Sequence, residues 1–230
     1  MKKNLTALIL CGGKGERLRP LTESTPKPLI HINGRPILSY LLEHIQKFNI
    51  NDIVIAAGFE AEKISNFFEN EYKHLNVTIV DSGDVDIVDR IKACNEYIKD
   101  DFILLYGDTL ADVSFDNLRE FHITHNLKAS ISLLPLKSQF GLVEIDVNNN
   151  VTSFREKPTL KQWINIGNFY FEKEIISLMS NYLSFADFLE YLGTNNLIKG
   201  YQHHGMHITV NTIRELEDAE KNIYKFELKK

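Results

Sequence analysis

The sequence predicts an α/β fold in which one mainly parallel, mixed β-sheet is flanked by helices, with a smaller β-rich elaboration in the second half. Two observations lead to this prediction. In the first half, short apolar runs alternate with segments whose apolar residues recur every three or four positions, which is typical of buried strands and amphipathic helices. In the second half, strand-like segments dominate and two of them flank a turn sequence. Strand–helix alternation implies right-handed crossovers and therefore a Rossmann-like sheet.

The first half alternates predicted strands with predicted helices. The apolar run at 7–11 ends at two glycines, as expected for a buried parallel strand. Further strands are predicted at 52–57, 77–80 and 102–106, and helices at 37–48, 60–68 and 87–98. Each of the first three strands is thus followed by a helix that can cover one face of the sheet.

The second half is more mixed. A hairpin is predicted where strands at 142–146 and 151–154 flank the Asn-rich turn 147–150. Other strands are predicted at 129–134, 164–171 and 201–210, and helices at 184–192 and 213–226. No linker, repeat or low-complexity segment interrupts the chain, so we expect a single domain over residues 1–230.

Composition excludes several function classes. The net charge of −5 disfavours a dedicated nucleic-acid or anionic-membrane binder, so neither is an expected partner. The two cysteines, Cys11 and Cys94, are too far apart in sequence for a CxxC metal pair and give no disulfide framework, which favours the cytoplasm. No apolar run approaches the roughly 20 residues of a membrane span, and the apolar stretch near the start ends at Gly12, so we expect neither a span nor a signal peptide.

A glycine-rich loop directly follows the first predicted strand. Residues 12–22 read Gly-Gly-Lys-Gly-Glu-Arg-Leu-Arg-Pro-Leu-Thr, and Pro-Lys-Pro follows at 26–28. Glycines at the carboxyl end of a strand let backbone N–H groups approach an anion closely. A dinucleotide fingerprint fails because Leu18 stands where glycine or alanine is needed, and no P-loop string is present.

Cations surround this loop. Lys14, Arg17 and Arg19 lie within it, and Lys27 is held between two prolines that restrict its backbone. This arrangement suits a triphosphate whose negative charge grows during phosphoryl transfer. The alternative is a glycine turn with solvated basic residues, and the cations together with Pro-Lys-Pro argue against it.

A series of motifs resembles, in order and spacing, those of the sugar-phosphate nucleotidylyltransferases. They are the opening motif at 13–28, Asn-Gly-Arg-Pro-Ile-Leu at 33–38, Gly107-Asp108, Phe140-Gly141, Glu156-Lys157-Pro158 and Asn165-x-Gly167. Within the family, segments 80–84, 90–92, 106–112 and 121–125 are most similar to glucose-1-phosphate cytidylyltransferases. The resemblance implies the fold of nucleotide-diphospho-sugar transferases, with residues 1–115 binding the nucleotide and 116–230, including the β-rich elaboration, binding the sugar phosphate.

The resemblance also implies a reaction. A nucleotidyl group would pass from a nucleoside triphosphate, with CTP favoured, to a sugar 1-phosphate, releasing pyrophosphate and serving surface polysaccharide biosynthesis. Use of GTP, dTTP or UTP, or of a non-sugar phosphate acceptor, stays open within this class. A weakly catalytic, nucleotide-binding regulatory subunit is the alternative from another class, and a homo-oligomer is an option because family members commonly oligomerise.

Roles follow residue by residue from the same resemblance. Arg17 would stabilise the departing pyrophosphate, and Lys27 would reach the α-phosphate; these two are the predicted catalytic residues. Predicted nucleotide-binding residues are Gly12, Gly13, Lys14, Gly15, Gly83 and Asp84. Predicted sugar-phosphate-binding residues are Gly141, Glu156, Lys157, Asn165 and Gly167. Asp108 and Asn211 would hold Mg²⁺, a hard cation that prefers oxygen ligands.

Several of these residues also have purely structural interpretations. Asp108 could cap a helix or a turn, and Asn211 could cap the helix that begins near Ile213. Gly83-Asp84 could form an ordinary turn, and Glu156-Lys157 an exposed charge pair. The role of Asp112 is open between support of the site and a solvated turn.

Three positions depart from the family pattern. Glu16 replaces a common threonine and is tolerable near a triphosphate only if it points away or pairs with a cation such as Lys14. Ile166 stands where the cytidylyltransferases have a glycine pair, which predicts an altered sugar pocket. Asn211 stands where many relatives have a second metal-binding aspartate, which predicts weaker metal coordination.

A histidine-rich segment follows later in the chain. His203, His204 and His207 lack a fourth ligand at suitable spacing, which argues against a dedicated metal site. They could line the sugar side of the pocket or lie on the surface.

Overall fold

The computed structural model describes residues 5–227, and its strands confirm the predicted mixed sheet. The strands are β1 (Thr6–Cys11), β2 (His31–Ile32), β3 (Arg35–Pro36), β4 (Asp52–Ala57), β5 (Asn76–Asp81), β6 (Phe102–Tyr106), β7 (Thr109–Ala111), β8 (Ala129–Lys137), β9 (Leu142–Ile145), β10 (Val151–Arg155), β11 (Thr159–Phe171), β12 (Ile198–Gln202) and β13 (His207–Thr209). Within the described range, seven of them form the central sheet in the order β12-β8-β11-β6-β1-β4-β5.

Helices cover both faces of the central sheet. They are α1 (Ile37–Gln46), α2 (Ala61–Glu71), α3 (Ile87–Ala93), α4 (Phe115–Ile123), α5 (Ile175–Met179), α6 (Phe185–Thr194), α7 (Ile213–Asn222) and α8 (Tyr224–Glu227). Short 3₁₀ turns at 16–18 and 27–29 shape the glycine-rich loop and the Pro-Lys-Pro segment. No helix within residues 5–227 has the length and apolar character needed to cross a lipid bilayer.

The sheet is parallel except for one strand. β1 lies at its centre, where Leu8 pairs in parallel with Val54 of β4 and Leu104 of β6. β11 is antiparallel to both β6 and β8, so Phe169 lies between Leu104 and Ile131. Because the sheet is buried on both faces, β1, β4 and β6 are apolar along almost their whole length, which is why the sequence shows continuous apolar runs there.

Two hydrophobic clusters sandwich the sheet. Alternation along β1 sends Ala7 and Ile9 into one cluster and Leu8 into the other. The first cluster packs against α1, α2, α4 and α7, and the second against α3, α5 and α6. The carboxyl ends of the parallel strands therefore project from a rigid base, which is where open α/β sheets bind ligands.

The strand predicted at 201–210 is wrong as a single element. β12 ends at Gln202 and pairs with β8, whereas β13 begins at His207 and pairs with β7 in a separate ribbon. Residues between the two strands form a tight turn because the Asp112 carboxylate accepts hydrogen bonds from the Met206 backbone (2.5 Å) and from His203 Nε2 (2.9 Å). A side chain about ninety residues earlier thus breaks an apolar run that is locally strand-like.

Two helices also differ from prediction. The helix predicted at 87–98 ends at Ala93 and continues as a 3₁₀ turn at 95–97. The α4 helix had no counterpart in the prediction; Ser114 caps it by accepting a hydrogen bond from the Asn117 backbone at 3.2 Å. The predicted hairpin around 147–150 is present as β9 and β10.

Candidate active site

The glycine-rich loop leaves β1 and turns sharply at Gly15. Gly15 adopts φ +62°, in the left-handed region that favours glycine, and opens the 3₁₀ turn at 16–18. Thr22 fixes this conformation by donating a hydrogen bond to the Gly15 carbonyl at 2.8 Å. The loop thereby directs Arg17 toward the centre of the site.

Lys27 lies at that centre between two oxygen acceptors. Its side chain is buried, and its ammonium contacts the Asp108 carboxylate and donates to Asn211 Oδ1 at 2.8 Å. Arg17 Nη2 donates to the same Asn211 oxygen at 3.0 Å. The structure thus brings together all four residues predicted for catalysis and metal binding.

A two-stranded ribbon positions Asp108 and Asn211. Asp108 immediately precedes β7, and Asn211 lies two residues beyond β13, with which β7 pairs antiparallel. The Val210 backbone donates to the Asp108 carbonyl at 3.2 Å, which keeps the two side chains side by side. Thr209 Oγ1 accepts from Asn211 Nδ2 at 2.9 Å, so the amide oxygen of Asn211 faces Lys27.

Asn211 does not cap the following helix. Thr212 is the N-cap of α7, since its hydroxyl accepts from the Glu215 backbone at 3.2 Å. Glu215 reaches back and accepts from the Asn211 backbone N–H at 2.6 Å. The capping interpretation of Asn211 is therefore wrong, and its side chain serves the cavity.

The loop after β5 borders the other side of the glycine-rich loop. Gly83 adopts φ +71°, and its N–H donates to Asp81 Oδ1 at 2.9 Å, which forms a turn. Asp84 projects from this turn and pairs with Lys14 at 2.5 Å. The turn and the proximity to the glycine-rich loop are therefore both present.

Arg90 was not among the predicted site residues. It is buried on α3 and donates to the Ala57, Gly83 and Val85 carbonyls and to Ser82 Oγ, which ties the ends of β4 and β5 together. Burial lowers the pKa of its guanidinium below the usual value. A side chain at Gly12 would overlap this guanidinium, so Gly12 is required by packing.

These residues surround a cavity of about 520 Å³. It is lined by Leu10, Cys11, Gly12, Gly13, Arg17, Lys27, Pro28, Val85, Ile87, Arg90, Tyr106, Asp108, Thr109, Asn165, Ile166, Gly167, His207, Thr209 and Asn211. A neighbouring cavity of about 460 Å³ shares several of these residues and adds the rest of the glycine-rich loop and Asp84. The elongated space thus runs from a cationic end at the loop to an uncharged end at β11.

A bulge in β11 builds the uncharged end. Asn165 Oδ1 accepts from the Gly167 backbone at 2.8 Å, and the strand register shifts between Asn165 and Phe169. Gly167 has φ +73°, and a side chain there would press on the Tyr106 ring. The bulge therefore brings Asn165 and Gly167 to the cavity, as predicted for the sugar side.

Comparison with known proteins decides the family. A family model described as "Nucleotidyl transferase" matches residues 6–212. This chain belongs to the nucleotidyl transferase family. The Salmonella typhi glucose-1-phosphate cytidylyltransferase is 30% identical over 92% of this chain and 93% of its own.

Other relatives have the same fold but differ in name and length. The bifunctional protein GlmU of Methanocaldococcus jannaschii is 33% identical over 76% of this chain, but the match spans only 42% of that protein. A structure assigned as a glucose-1-phosphate thymidylyltransferase of Bacillus anthracis superposes with a TM-score of 0.76 at 18% identity, covering 94% of each chain. The last of these shows the nucleotidyltransferase fold alone.

Three residues that the family resemblance assigned to the sugar phosphate lie away from this cavity. Gly141 precedes β9, and Glu156 and Lys157 follow β10, so all three lie at the base of the hairpin. Glu156 and Lys157 are exposed, and a side chain at Gly141 would lie 2.9 Å from Glu156 Oε2. They are grouped with one another, and their contact with an acceptor stays a prediction.

The departures from the family pattern have local explanations. Glu16 lies 3.8 Å from Arg19, whereas Lys14 pairs with Asp84, so the expected Glu16–Lys14 pair is wrong. Ile166 is only 1% exposed and packs into the hydrophobic core beside the cavity. It therefore narrows the uncharged end with an apolar wall.

Proposed function

We propose that this family member transfers a nucleotidyl group from a nucleoside triphosphate, preferentially CTP, to a sugar 1-phosphate. The observation that carries the proposal is the cluster of Arg17, Lys27, Asp108 and Asn211 between the glycine-rich loop and the uncharged end of the cavity. Nucleotide binding alone does not require this set, which argues against the purely regulatory alternative.

The transfer needs no protein nucleophile. An oxygen of the acceptor's phosphate attacks the α-phosphorus in line, and the bond from that phosphorus to the bridging oxygen breaks as pyrophosphate leaves with the bonding electrons. Lys27 is placed to neutralise charge at the α-phosphate, and Arg17 to neutralise charge on pyrophosphate. Such preorganised cations stabilise the transition state because they need not reorient during the reaction.

Mg²⁺ is part of the proposal because the donor set suits it. The Asp108 carboxylate and the Asn211 amide oxygen converge on one cation, the Lys27 ammonium, and both are the hard oxygen donors that Mg²⁺ prefers. Within residues 5–227 no cluster of three or more acidic, histidine or cysteine ligands exists, so the nucleotide's phosphates would complete the coordination. When bound, the ion would supply positive charge to the phosphates.

The acceptor end supports a polyhydroxylated acceptor. Asn165, Tyr106 and Thr109 line it, and their side chains are uncharged hydrogen-bonding groups. Asn165 hydrogen-bonds the Tyr106 hydroxyl, and burial raises the pKa of that phenol, so it stays neutral. Neutral donors and acceptors recognise sugar hydroxyls, whereas a cationic acceptor such as a quaternary amine would favour an aromatic cage.

The preference for CTP rests on relatives and on local sequence. Glucose-1-phosphate cytidylyltransferases match nearly the full length of this chain, and segments 80–84 and 90–92 carry the likeness around the nucleotide loop. Surface polysaccharide biosynthesis in the cytoplasm, where nucleoside triphosphates are made, is the corresponding role. Because one relative is named a thymidylyltransferase and others GlmU, UTP, GTP and dTTP are the competing donors.

A matrix of four triphosphates against a panel of sugar 1-phosphates tests the proposal. Pyrophosphate release with Mg²⁺ should be fastest with CTP, by at least about tenfold in kcat/KM, equivalent to roughly 1.4 kcal/mol. A different triphosphate with that advantage would replace CTP. Absence of release with every pair, despite nucleotide binding, would favour the regulatory alternative.

A further inference from the structure

His207 belongs to a row of side chains that runs along the wall of the cavity. His207, Thr209 and Asn211 alternate along the chain and line the same space. Asn211 lies beside Lys27 and Arg17, at the phosphate end. At about 3.3 Å per residue, His207 lies on the order of 10 Å from Asn211, too far to share its partners. The row therefore leads from the reacting phosphates toward the non-reacting end of an acceptor.

The imidazole of His207 is largely buried and neutral. Burial lowers its pKa, with nearby His203 acting in the same direction, while Asp108 and Glu215 oppose the shift. A neutral imidazole has one ring nitrogen that donates and one that accepts. No hydrogen bond joins this ring to any other residue in the described part of the chain.

The contrast with the neighbouring histidines is clear. His203 is fully engaged, because its Nε2 contacts Asp112 and the Met206 carbonyl. His204 is exposed and packs edge-on against Trp163 with ring centroids 5.9 Å apart, outside the lining of the cavity at Lys27. His207 alone among these three combines cavity exposure with unused hydrogen-bonding capacity.

We infer that His207 hydrogen-bonds a hydroxyl of the phosphorylated sugar and so determines which acceptor the enzyme prefers. This inference rests on the proposed function. A polar group in a partly desolvated wall gains from a ligand hydroxyl that pairs with it and disfavours an analogue that leaves it unpaired. The opposite wall, formed by Ile166, is apolar, so His207 supplies directional recognition that Ile166 cannot.

Two substitutions at His207 and one matched control test this inference. His207→Leu removes both hydrogen-bonding nitrogens at similar volume, and His207→Gln keeps a donor and an acceptor. His204→Leu makes the same chemical change three residues away, outside the cavity. Each variant is assayed by pyrophosphate release with the best sugar 1-phosphate of the wild type and with its deoxy and epimeric analogues.

We expect His207→Leu to raise the KM for the preferred sugar 1-phosphate about tenfold and to reduce discrimination against at least one analogue. The KM for the triphosphate should stay within about twofold, which also shows that the variant is folded. His207→Gln should recover most of the loss, and His204→Leu should behave as wild type. Equal changes in both KM values, or unchanged acceptor preference in His207→Leu, would overturn the inference. Failure of the wild type with every sugar phosphate would instead overturn the proposed function.

Discussion

The ammonium of Lys27 is shared between an anionic and a neutral oxygen. Asp108 contributes a full negative charge, whereas Asn211 contributes only the dipole of an amide. Arg17 adds a second cation at the same amide oxygen, so this group of four side chains carries a net charge of one positive unit. An incoming triphosphate therefore meets surplus positive charge and can draw Lys27 toward its α-phosphate.

Replacement of Lys27 should show this role directly. Lys27→Met keeps much of the aliphatic chain but removes the charge, and we expect kcat to fall about a hundredfold or more. Thermal unfolding should change far less, because Asp108 can be hydrated in the open cavity. Steady-state kinetics with CTP and a sugar 1-phosphate provide the measurement. Lys63→Met, on the exposed surface of α2, is the control and should keep wild-type kcat; near-normal kcat in Lys27→Met would disprove a catalytic role.

Adjacent glycines in the loop should differ sharply in what they tolerate. A methyl group at Gly12 would overlap the guanidinium of Arg90, which backbone carbonyls hold in place. Gly12→Ala should therefore lower stability by about 1–3 kcal/mol, the usual cost of overpacking.

Gly13→Ala is the matched comparison, because no atom lies within 4 Å of a side chain placed there. We expect its melting temperature to match the wild type while the KM for the triphosphate rises, since Gly13 faces the cavity. Denaturant unfolding and initial-rate kinetics separate the two effects. Equal melting temperatures for both variants would contradict the packing role of Gly12.

The sequence predicted the residues of the site better than their partners. The spacing of the glycine-rich loop and Pro-Lys-Pro is local and identified Arg17 and Lys27. Arg90 could not be found in the same way, because its function arises from carbonyls at the ends of two strands that meet only in the fold. The pairing of Lys14 with Asp84, rather than with Glu16, likewise depends on a contact across seventy residues.

At the scale of elements, the β7–β13 ribbon and the start of α7 hold the second oxygen donor. The ribbon fixes the backbone on one side of Asn211, and the Thr212 cap fixes it on the other. Glu215 couples the two because it binds the Asn211 backbone from the first turn of the helix. Disturbing the first turn of α7 should therefore be felt at Lys27.

Two helix caps offer a matched test of that coupling. Thr212 and Ser184 both accept from the backbone N–H three residues later, at 3.2 and 3.1 Å. Replacing either with alanine should cost about 1 kcal/mol of stability, measured by denaturant unfolding. Only Thr212→Ala should also lower kcat, because only α7 adjoins Asn211. A similar kcat in both variants would mean that the cap does not position the site.

Element boundaries were predictable where local pattern and packing agree. β4 and β6 match their predicted bounds because each is an apolar run closed by polar or glycine residues. The segment 201–210 misled because its residues favour strand throughout, and only the Asp112 carboxylate and Gly205 show that the chain must turn. The division at about residue 115 stays a prediction.

At the scale of the whole molecule, the fold buries a titratable group far from the reaction. His44 of α1 lies among the rings of Phe48, Phe115 and Phe226 and donates from Nε2 to the Val113 carbonyl at 2.9 Å. Burial lowers its pKa below the ordinary 6.5, so the folded protein holds it neutral. The unfolded chain therefore binds the extra proton first as pH falls.

The global stability should consequently decrease below pH 6.5 through His44. Between the ordinary and the lowered pKa, the unfolded state carries more protons, so stability rises with pH there and is lost on acidification. From pH 7.5 to 5.5, wild type should lose about 1 kcal/mol more unfolding free energy than His44→Gln, measured by urea titration at each pH. His31→Gln on the surface should follow wild type. Parallel losses in wild type and His44→Gln would show that His44 does not contribute.

The pairing of β7 with β13 sets when the protein becomes competent during its synthesis. The ribosome completes the glycine-rich loop, Lys27 and Asp108 early, but His207 follows its partner Ala111 by about a hundred residues. At 5–20 residues per second, translation of that interval takes roughly 5–20 s. Through that time a nascent chain has the loop and the lysine but lacks Asn211. Activity therefore begins only when nearly the whole described chain has emerged, so an interrupted translation product could retain a nucleotide loop yet have no means of transfer.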